Sequence, residues 1–151
     1  MRAVLQRVTS ASVDVEGRTV GAIGTGLLVL LGIAKGDTAE DAEYLATKIT
    51  RLRIFTDDHG KMNSSVTDSN GALLVVSQFT LLADTGKGNR PSFDEAADAA
   101  VARGIYDAFL SHCRALGVST QSGVFQAHMV VRLVNDGPVT IICESRKKIT
   151  T

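Results

Sequence analysis

The first third of the chain carries short apolar stretches of strand length. Apolar residues alternate with polar ones across residues 11–15, a period of two that predicts a half-buried strand. Glu16-Gly17 predicts a turn, and residues 19–23 are its predicted hairpin partner. The continuous apolar run at residues 26–33 predicts a central strand that is buried on both faces. The chain is therefore expected to begin with three strands.

Two later segments carry apolar residues at helical spacing. The first begins at Asp37, which forms a predicted capping box with Glu40 three residues later. The second begins at another predicted capping box, Ser92 with Glu95, and ends at Gly117. The apolar stripe that follows each box predicts one amphipathic helix.

The remaining apolar segments predict further strands. Asn70-Gly71 is a hairpin signal that leads into the apolar residues 72–76. Residues 128–133 and 139–143 predict the last two strands, with Asn135-Asp136-Gly137-Pro138 as the turn between them. Hairpins outnumber crossover units in this order. We therefore expect a mixed α/β (α+β) fold, a largely antiparallel curled sheet or barrel with two main helices packed against it.

Length and composition narrow the class of protein. The chain has 151 residues, 44% hydrophobic and 21% charged, which is typical of one globular domain; we place it at residues 1–145, followed by a basic tail at 146–151. The longest apolar run is too short for a bilayer, and the first residues do not form a signal peptide. Cys113 and Cys143 are expected to be reduced and structural. The prediction is a cytoplasmic protein without a membrane partner.

Charge and residue spacing exclude several chemistries. The formal net charge of zero argues against a broad nucleic-acid surface but permits a small footprint on the end of an RNA. His59, His112 and His128 have no second His or Cys at ligand spacing, so neither a metal site nor a cofactor is predicted. No Ser-His-Asp set follows from the spacing.

Two short motifs carry the functional interpretation. Taken alone, Ser77-Gln78-Phe79-Thr80 is typical of a strand end whose hydroxyls cap nearby backbone groups, and Asn135-Asp136-Gly137-Pro138 is typical of a turn. Together with Gln6-Arg7-Val8, Gly60-Lys61-Met62-Asn63 and Arg90-Pro91-Ser92-Phe93, they resemble the D-aminoacyl-tRNA deacylase (D-tyrosyl-tRNA deacylase) family. The resemblance runs over residues 1–143.

The resemblance implies an enzyme and an assembly. A member of this family hydrolyses the ester that joins a D-amino acid to the 3′-terminal adenosine of tRNA. It is a homodimer with its active site at the subunit interface, and its partner is aminoacyl-tRNA. In the family the peptide that corresponds to Gly137-Pro138 is cis, and its carbonyl groups enter the partner subunit's site. An L side chain would collide with this backbone, whereas glycine is not fully excluded, so glycyl-tRNA is an expected second substrate.

The resemblance also implies which residues form the catalytic side of the active site. Ser77, Gln78, Phe79 and Thr80 are the predicted catalytic residues, with backbone N–H groups as candidate oxyanion donors. Thr80 carries the nucleophile candidate of the motif, but no base is identifiable beside it. We expect it to position the substrate while water attacks, helped by the 2′-hydroxyl of the substrate's ribose.

Further residues are assigned to binding. Phe125 and Met129 match positions that line the adenosine pocket, although a strand-core role for Met129 fits as well, and Arg7 is expected to hold the Gly-Pro loop. Gln126 and His128 depart from the residues expected at this pocket. Two basic residues are candidate phosphate contacts, Lys87 and Arg90.

Two other functions remain compatible with the sequence. One is a protein that binds the tRNA end without catalysis. The other is a hydrolase that keeps the fold but cleaves a different small ester.

Overall fold

The computed structural model describes residues 1–146, so the predicted basic tail lies outside the described residues except for Arg146. Within this range the strands are β1 (Arg2–Val15), β2 (Arg18–Ile23), β3 (Gly26–Gly32), β4 (Phe55–Thr56), β5 (Met62–Ser64), β6 (Ala72–Ser77), β7 (Ser119–Ser122) and β8 (Val130–Glu144). The helices are α1 (Ala39–Arg51) and α2 (Ala99–Ala115), and a 3₁₀ turn spans Phe79–Leu82.

The sheet is organised around the long strand β1. It pairs antiparallel with β8 along one edge and with β3 and then β2 along the other. On the far side of β3 the sheet is extended by β6, which pairs parallel with β3, and then by β7, which pairs parallel with β6. The sheet curls until β2 approaches β7, where the backbone N–H of Ala22 donates to Oε1 of Gln121 at 3.2 Å. The predicted mixed α/β fold with a curled, barrel-like sheet and two helices is confirmed.

The sheet is apolar on both faces because it separates two cores. Leu27, Val29 and Leu31 of β3 belong to the core that also contains the buried side chains of α1 and α2. Leu28 belongs to the second core, which fills the curl of the sheet with β1, β2 and β6. Each fully buried leucine contributes about 1.5–3 kcal/mol relative to an exposed one. The prediction of a central strand buried on both faces is confirmed.

Both predicted helix starts are wrong. α1 is capped by Thr38, whose backbone N–H is bonded to the carboxylate of Asp41 at 2.8 Å. Asp37 instead accepts a hydrogen bond from the N–H of Ala34 at 2.6 Å, so its carboxylate is already engaged before the helix begins. α2 begins only after Asp98.

The residues before α2 do not form its first turn; Ser92 and Ala96 lie in isolated bridges, with a separate turn from Phe93 to Ala96 between them. Ser92 exchanges both backbone hydrogen bonds with Asp84, at 2.8 and 2.9 Å. This bridge keeps the Ser92 backbone extended, and a helix cannot start there.

Two predicted chain reversals do not occur. Asn70-Gly71 closes a turn onto Val66, whose carbonyl accepts from the Gly71 N–H at 2.9 Å, and β6 then pairs parallel with β3 instead of forming a hairpin. The predicted turn at Asn135-Asp136-Gly137-Pro138 lies inside the continuous strand β8. β1 also begins at Arg2, earlier than the alternation at residues 11–15 indicated.

No helix within residues 1–146 combines the length and the apolar character needed to cross a membrane.

Candidate active site

A cleft of about 580 Å³ opens beside the C-terminal end of β6. Its lining joins two segments that are far apart in the sequence, residues 77–79 after β6 and residues 125–129 before β8. Leu31, Ile33 and Val76 add buried apolar surface to the lining. The structure thus brings the predicted residues Ser77, Gln78 and Phe79 together with Phe125 and Met129; Gln126 and His128 line the same cleft.

The Ser77-Gln78-Phe79-Thr80 segment is fixed by its backbone. The N–H of Gln78 donates to the carbonyl of Leu31 at 2.9 Å and so ties the segment to β3. The chain then enters the 3₁₀ turn, in which the N–H of Leu81 donates to the carbonyl of Gln78 at 3.2 Å. The N–H groups of Phe79 and Thr80 come at the start of this turn, where no earlier carbonyl of the turn can accept from them. They are therefore the candidate donors to an oxyanion.

The hydroxyl of Thr80 is bound to a neighbouring side chain. The side-chain amide of Gln78 donates to Oγ1 of Thr80, and the Thr80 side chain is exposed. Thr80 does not line the cleft, unlike the three residues before it. This arrangement favours a role for Thr80 in orienting Gln78 and the turn.

An aromatic side chain forms part of the cleft and is supported from two sides. The ring centroids of Phe125 and Tyr106 lie 5.7 Å apart, and the guanidinium carbon of Arg103 lies 5.9 Å from the Phe125 centroid. The hydroxyl of Tyr106 donates to the carbonyl of Val75 at 3.0 Å. Burial raises the pKa of Tyr106 to about 12, so this hydroxyl remains a donor at physiological pH. Sequence reasoning missed Arg103 and Tyr106, although their three-residue spacing on the predicted helix was a signal of a shared face.

Residues 136–139 form a bulge within β8 that protrudes from the β1–β8 ladder, and we call this bulge the Gly137-Pro138 loop. Gln6 is aligned with Thr140 and Val8 with Asn135, so residues 136–139 stand opposite Arg7 alone. The Gly137-Pro138 peptide is cis, and both residues are exposed.

Arg7 and Asn135 brace this loop. Arg7 is 9% exposed, and its Nε donates to the carbonyl of Asp136 at 3.1 Å while its Nη1 donates to the carbonyl of Ile54 at 2.9 Å. The Asp136 carboxylate lies 3.4 Å from the same Nε. Nδ2 of Asn135 donates to the carbonyls of Arg7 and Val139, at 2.8 and 3.0 Å. The exposed loop is thus held by buried and half-buried side chains beneath it.

The structure does not bring all predicted site residues together within one chain. Arg7, Gly137 and Pro138 form one group, and none of them lines the cleft that contains Ser77 and Phe125. Lys87 and Arg90 are exposed and also lie outside the cleft lining. The predicted site residues thus fall into two groups, and only one of them lines the cleft.

The described part of the chain offers no cluster of three or more His, Cys, Asp or Glu side chains suited to holding a metal ion. The chemical groups that line the cleft are instead backbone amides, an exposed imidazole, side-chain amides and aromatic rings. These groups can bind a planar ring and stabilise an oxyanion.

Comparison with known proteins connects this arrangement to a family. The family model D-Tyr-tRNA(Tyr) deacylase matches residues 4–144. A protein of Dehalococcoides mccartyi named D-aminoacyl-tRNA deacylase is 58% identical over 149 residues, covering 99% of this chain and 97% of its own. Another of that name from Thermosipho africanus is 55% identical over 147 residues, covering 97% and 99%.

Solved structures agree in fold. The c-Myc DNA Unwinding Element Binding Protein superposes with a TM-score of 0.92 at 45% identity, covering 97% of this chain and 100% of its own. A probable eukaryotic D-amino acid tRNA deacylase, with a TM-score of 0.80 and 20% identity over 95% of this chain and 98% of its own, shares the fold. The match of the family model over most of the chain, together with relatives at this level of identity, shows that the chain belongs to the D-Tyr-tRNA(Tyr) deacylase family.

Proposed function

We propose that this protein hydrolyses the ester bond between a D-amino acid and the 3′-terminal adenosine of tRNA in the cytoplasm, releasing free tRNA and the D-amino acid. Membership of the deacylase family makes the chain a hydrolase. The observation that carries the proposal is that one cleft is lined by both Ser77, Gln78 and Phe79 and by Phe125 and Met129. An aromatic ring beside backbone donors suits a substrate that ends in a nucleoside and an ester.

The reaction requires positioning more than reactive side chains. The adenine stacks on Phe125, which places the ester carbonyl near the N–H groups of Phe79 and Thr80. Water attacks the carbonyl carbon, the bond to the ribose oxygen breaks, and the 2′-hydroxyl of the ribose assists the proton transfer. Aminoacyl esters are labile enough for orientation and an oxyanion site to suffice. The bond from Gln78 to Thr80 supports a positioning role for that hydroxyl.

Chiral selection is assigned to the Gly137-Pro138 loop of a second subunit. The loop protrudes from the sheet, is braced by Arg7 and lies outside the cleft of its own subunit. These features suit a loop that enters the cleft of a neighbouring subunit. Its carbonyl groups bind the amino group of the substrate and leave no room for an L side chain. Rejection by backbone ignores the identity of a D side chain and accepts glycine, so glycyl-tRNA is a second substrate.

Deacylation assays test the activity. The same tRNA is charged with D-tyrosine or L-tyrosine, a second tRNA is charged with glycine, and loss of the aminoacyl group is followed with and without the protein. We expect fast loss of the D-ester, measurable loss of the glycyl ester and no acceleration for the L-ester. Binding without any hydrolysis would indicate a tRNA-end binding protein, and equal hydrolysis of both tyrosyl esters would indicate a general esterase.

Subunit mixing tests the shared site. Ala102 lines the cleft, and Ala102→Trp would fill it while leaving the Gly137-Pro138 loop of its own subunit intact. Gly137→Ala in the loop and Ala102→Trp in the cleft are each expected to be inactive as homodimers. If the site is shared, mixing them restores activity, because a mixed dimer contains one intact cleft facing one intact loop. A mixture that stays inactive although sedimentation shows mixed dimers would contradict the shared site.

A further inference from the structure

The 3₁₀ turn of the cleft is seated directly on the end of β3. A Cβ added at Gly32 would lie 2.5 Å from Cδ2 of Leu82 and 3.1 Å from the carbonyl oxygen of Gln78. A side chain at this position would displace Leu82 and crowd the Gln78 carbonyl, so the glycine allows the turn to rest on the strand as it does. The bond from Gln78 to Leu31 fixes the N-terminal side of the turn, and the contact with Gly32 also seats Leu82 at its C-terminal side.

A side chain from β1 holds the backbone at the C-terminal end of the turn. Nη1 of Arg2 donates to the carbonyl of Leu81 at 2.8 Å. The same guanidinium is oriented by Glu144, whose Oε1 lies 2.7 Å from both Nε and Nη2 of Arg2. Arg2 and Glu144 are directly opposite each other in the β1–β8 ladder, and both side chains are about two-thirds buried, with 28% and 30% exposed. The last carbonyls of a helical turn have no internal donor, and a cation is the favourable partner there.

We propose that Arg2 is a positioning residue for the deacylation reaction and that Glu144 holds it in place. The inference rests on the proposed function and deepens it. A turn of four residues has few internal hydrogen bonds, so the direction of its first N–H groups is set by the contacts at its two ends. Arg2 supplies the contact at the end far from the cleft, and without it the amides of Phe79 and Thr80 move away from the oxyanion position. Arg2 does not line the cleft, and its effect on the reaction is transmitted through the turn.

The chain offers a matched control. Arg132 and Asp14 also form an ion pair between β8 and β1, but at the opposite end of the ladder from Arg2. Arg2→Met and Arg132→Met therefore each remove one cross-strand ion pair, and only the first frees the 3₁₀ turn. Arg2→Lys keeps a donor for the Leu81 carbonyl but loses the planar fork that also binds Glu144.

Steady-state kinetics and amide exchange are measured together on these dimeric proteins. We expect Arg2→Met to lower kcat for D-aminoacyl-tRNA by about 10- to 100-fold, as a small misplacement of catalytic groups does, with KM unchanged. Arg2→Lys recovers part of kcat, and Arg132→Met has the wild-type kcat. Exchange of the amides of Leu81 and Ala83 is faster in Arg2→Met than in Arg132→Met.

The exchange measurement separates this inference from the proposed function. If the wild-type protein does not deacylate but exchange at the turn still rises in Arg2→Met alone, the proposed activity fails while the anchoring by Arg2 stands. If kcat and exchange change equally in Arg2→Met and Arg132→Met, Arg2 is only a structural residue and the inference is overturned. Should Arg2→Met fail to fold, Arg2→Lys is compared with the wild type, and an unchanged kcat with unchanged exchange would overturn it as well.

Discussion

The cleft and the Gly137-Pro138 loop differ in the part of the chain that each presents to solvent. The cleft is lined by side chains, among them Phe125, Met129 and the buried Val76. The loop exposes Gly137, which has no side chain, and Pro138, while the side chains of Arg7 and Asn135 bind its carbonyl groups from beneath.

This difference explains why the two regions should respond differently to substitution. In the cleft, changing one side chain alters one contact with a substrate and leaves the backbone donors in place. In the loop, a change that moves the backbone alters every group that it presents, because the atoms that we propose to recognise the substrate are carbonyl oxygens. The loop should therefore be the more sensitive region, although it lies at the surface.

The largest effect is expected for Gly137→Ala. Gly137 has a φ of +133°, and an added Cβ would lie 2.8 Å from Cγ2 of Val139 and 3.2 Å from Nη2 of Arg7. The loop must shift, and we expect hydrolysis of D-aminoacyl-tRNA to fall by at least about 100-fold, with about 1–3 kcal/mol of stability lost. Gly17→Ala is the control, since Gly17 also has a positive φ, +76°, but nothing within 4 Å of the added atom. Equal activity of the two variants would mean that the loop does not contribute to the reaction.

Arg7→Met is expected to have the next largest effect. The substitution leaves the carbonyls of Asp136 and Ile54 without their donor in a site where Arg7 was 9% exposed. Hydrogen bonds to a charged group are worth about 1.5–3 kcal/mol each, so we expect loss of these two bonds to lower the free energy of unfolding in urea by about 3–6 kcal/mol. Arg132→Met removes the exposed pair of Arg132 with Asp14 and should lower the free energy of unfolding by much less than Arg7→Met does. If both variants lose the same stability, Arg7 does not brace the loop.

Phe125→Ala tests the side-chain character of the cleft. Removing the ring takes away the stacking surface but leaves the backbone donors of the 3₁₀ turn, so KM should rise while kcat changes little. Stacking of a base on an aromatic ring is worth about 1–3 kcal/mol, which corresponds to a rise in KM of about 5- to 150-fold. Tyr44→Ala serves as the control because Tyr44 is 51% exposed and lies outside the cleft. A loss confined to kcat would show that Phe125 does not bind the nucleoside.

Local apolar patterns predicted the first three strands, β6 and the two helices, but they did not predict the short strands β4, β5 and β7 or the long-range pairing. The runs at residues 26–33 and 72–76 are buried on both faces because they separate two cores, and a continuous apolar run is the pattern that such burial requires. Their parallel pairing was not predictable from Asn70-Gly71, since the same dipeptide closes a hairpin in one context and a single turn in another. Asp37 matched a helix cap by type and spacing, but its carboxylate is engaged by the N–H of Ala34 and by the N-terminal ammonium of Met1.

The candidate site was predictable in composition and not in arrangement. Ser77 and Gly137 were predicted as site residues because the sequence resembles a known family. Nothing in the local sequence indicated that the loop would stand opposite Arg7 alone within a continuous strand. That arrangement depends on the register between β1 and β8, which is set by pairing along the whole strand. Arg103 and Tyr106 were missed because they act on Phe125 from a different element of the chain.

The smallest effect is expected for Thr80→Ala, and it gives the sharpest test of the proposal that the cleft acts through its backbone. The Thr80 side chain is exposed, accepts a bond from Gln78 and lies outside the cleft lining, so its loss removes one support of the turn and no reacting group. One such hydrogen bond is worth about 0.5–1.5 kcal/mol, and we expect kcat to fall by less than about 10-fold. Thr80→Ser is the companion variant because it keeps the hydroxyl. If Thr80→Ala abolishes the reaction at unchanged stability while Thr80→Ser retains it, the hydroxyl takes part in the chemistry. The cleft would then depend on a reactive side chain, whereas the loop would act by steric exclusion.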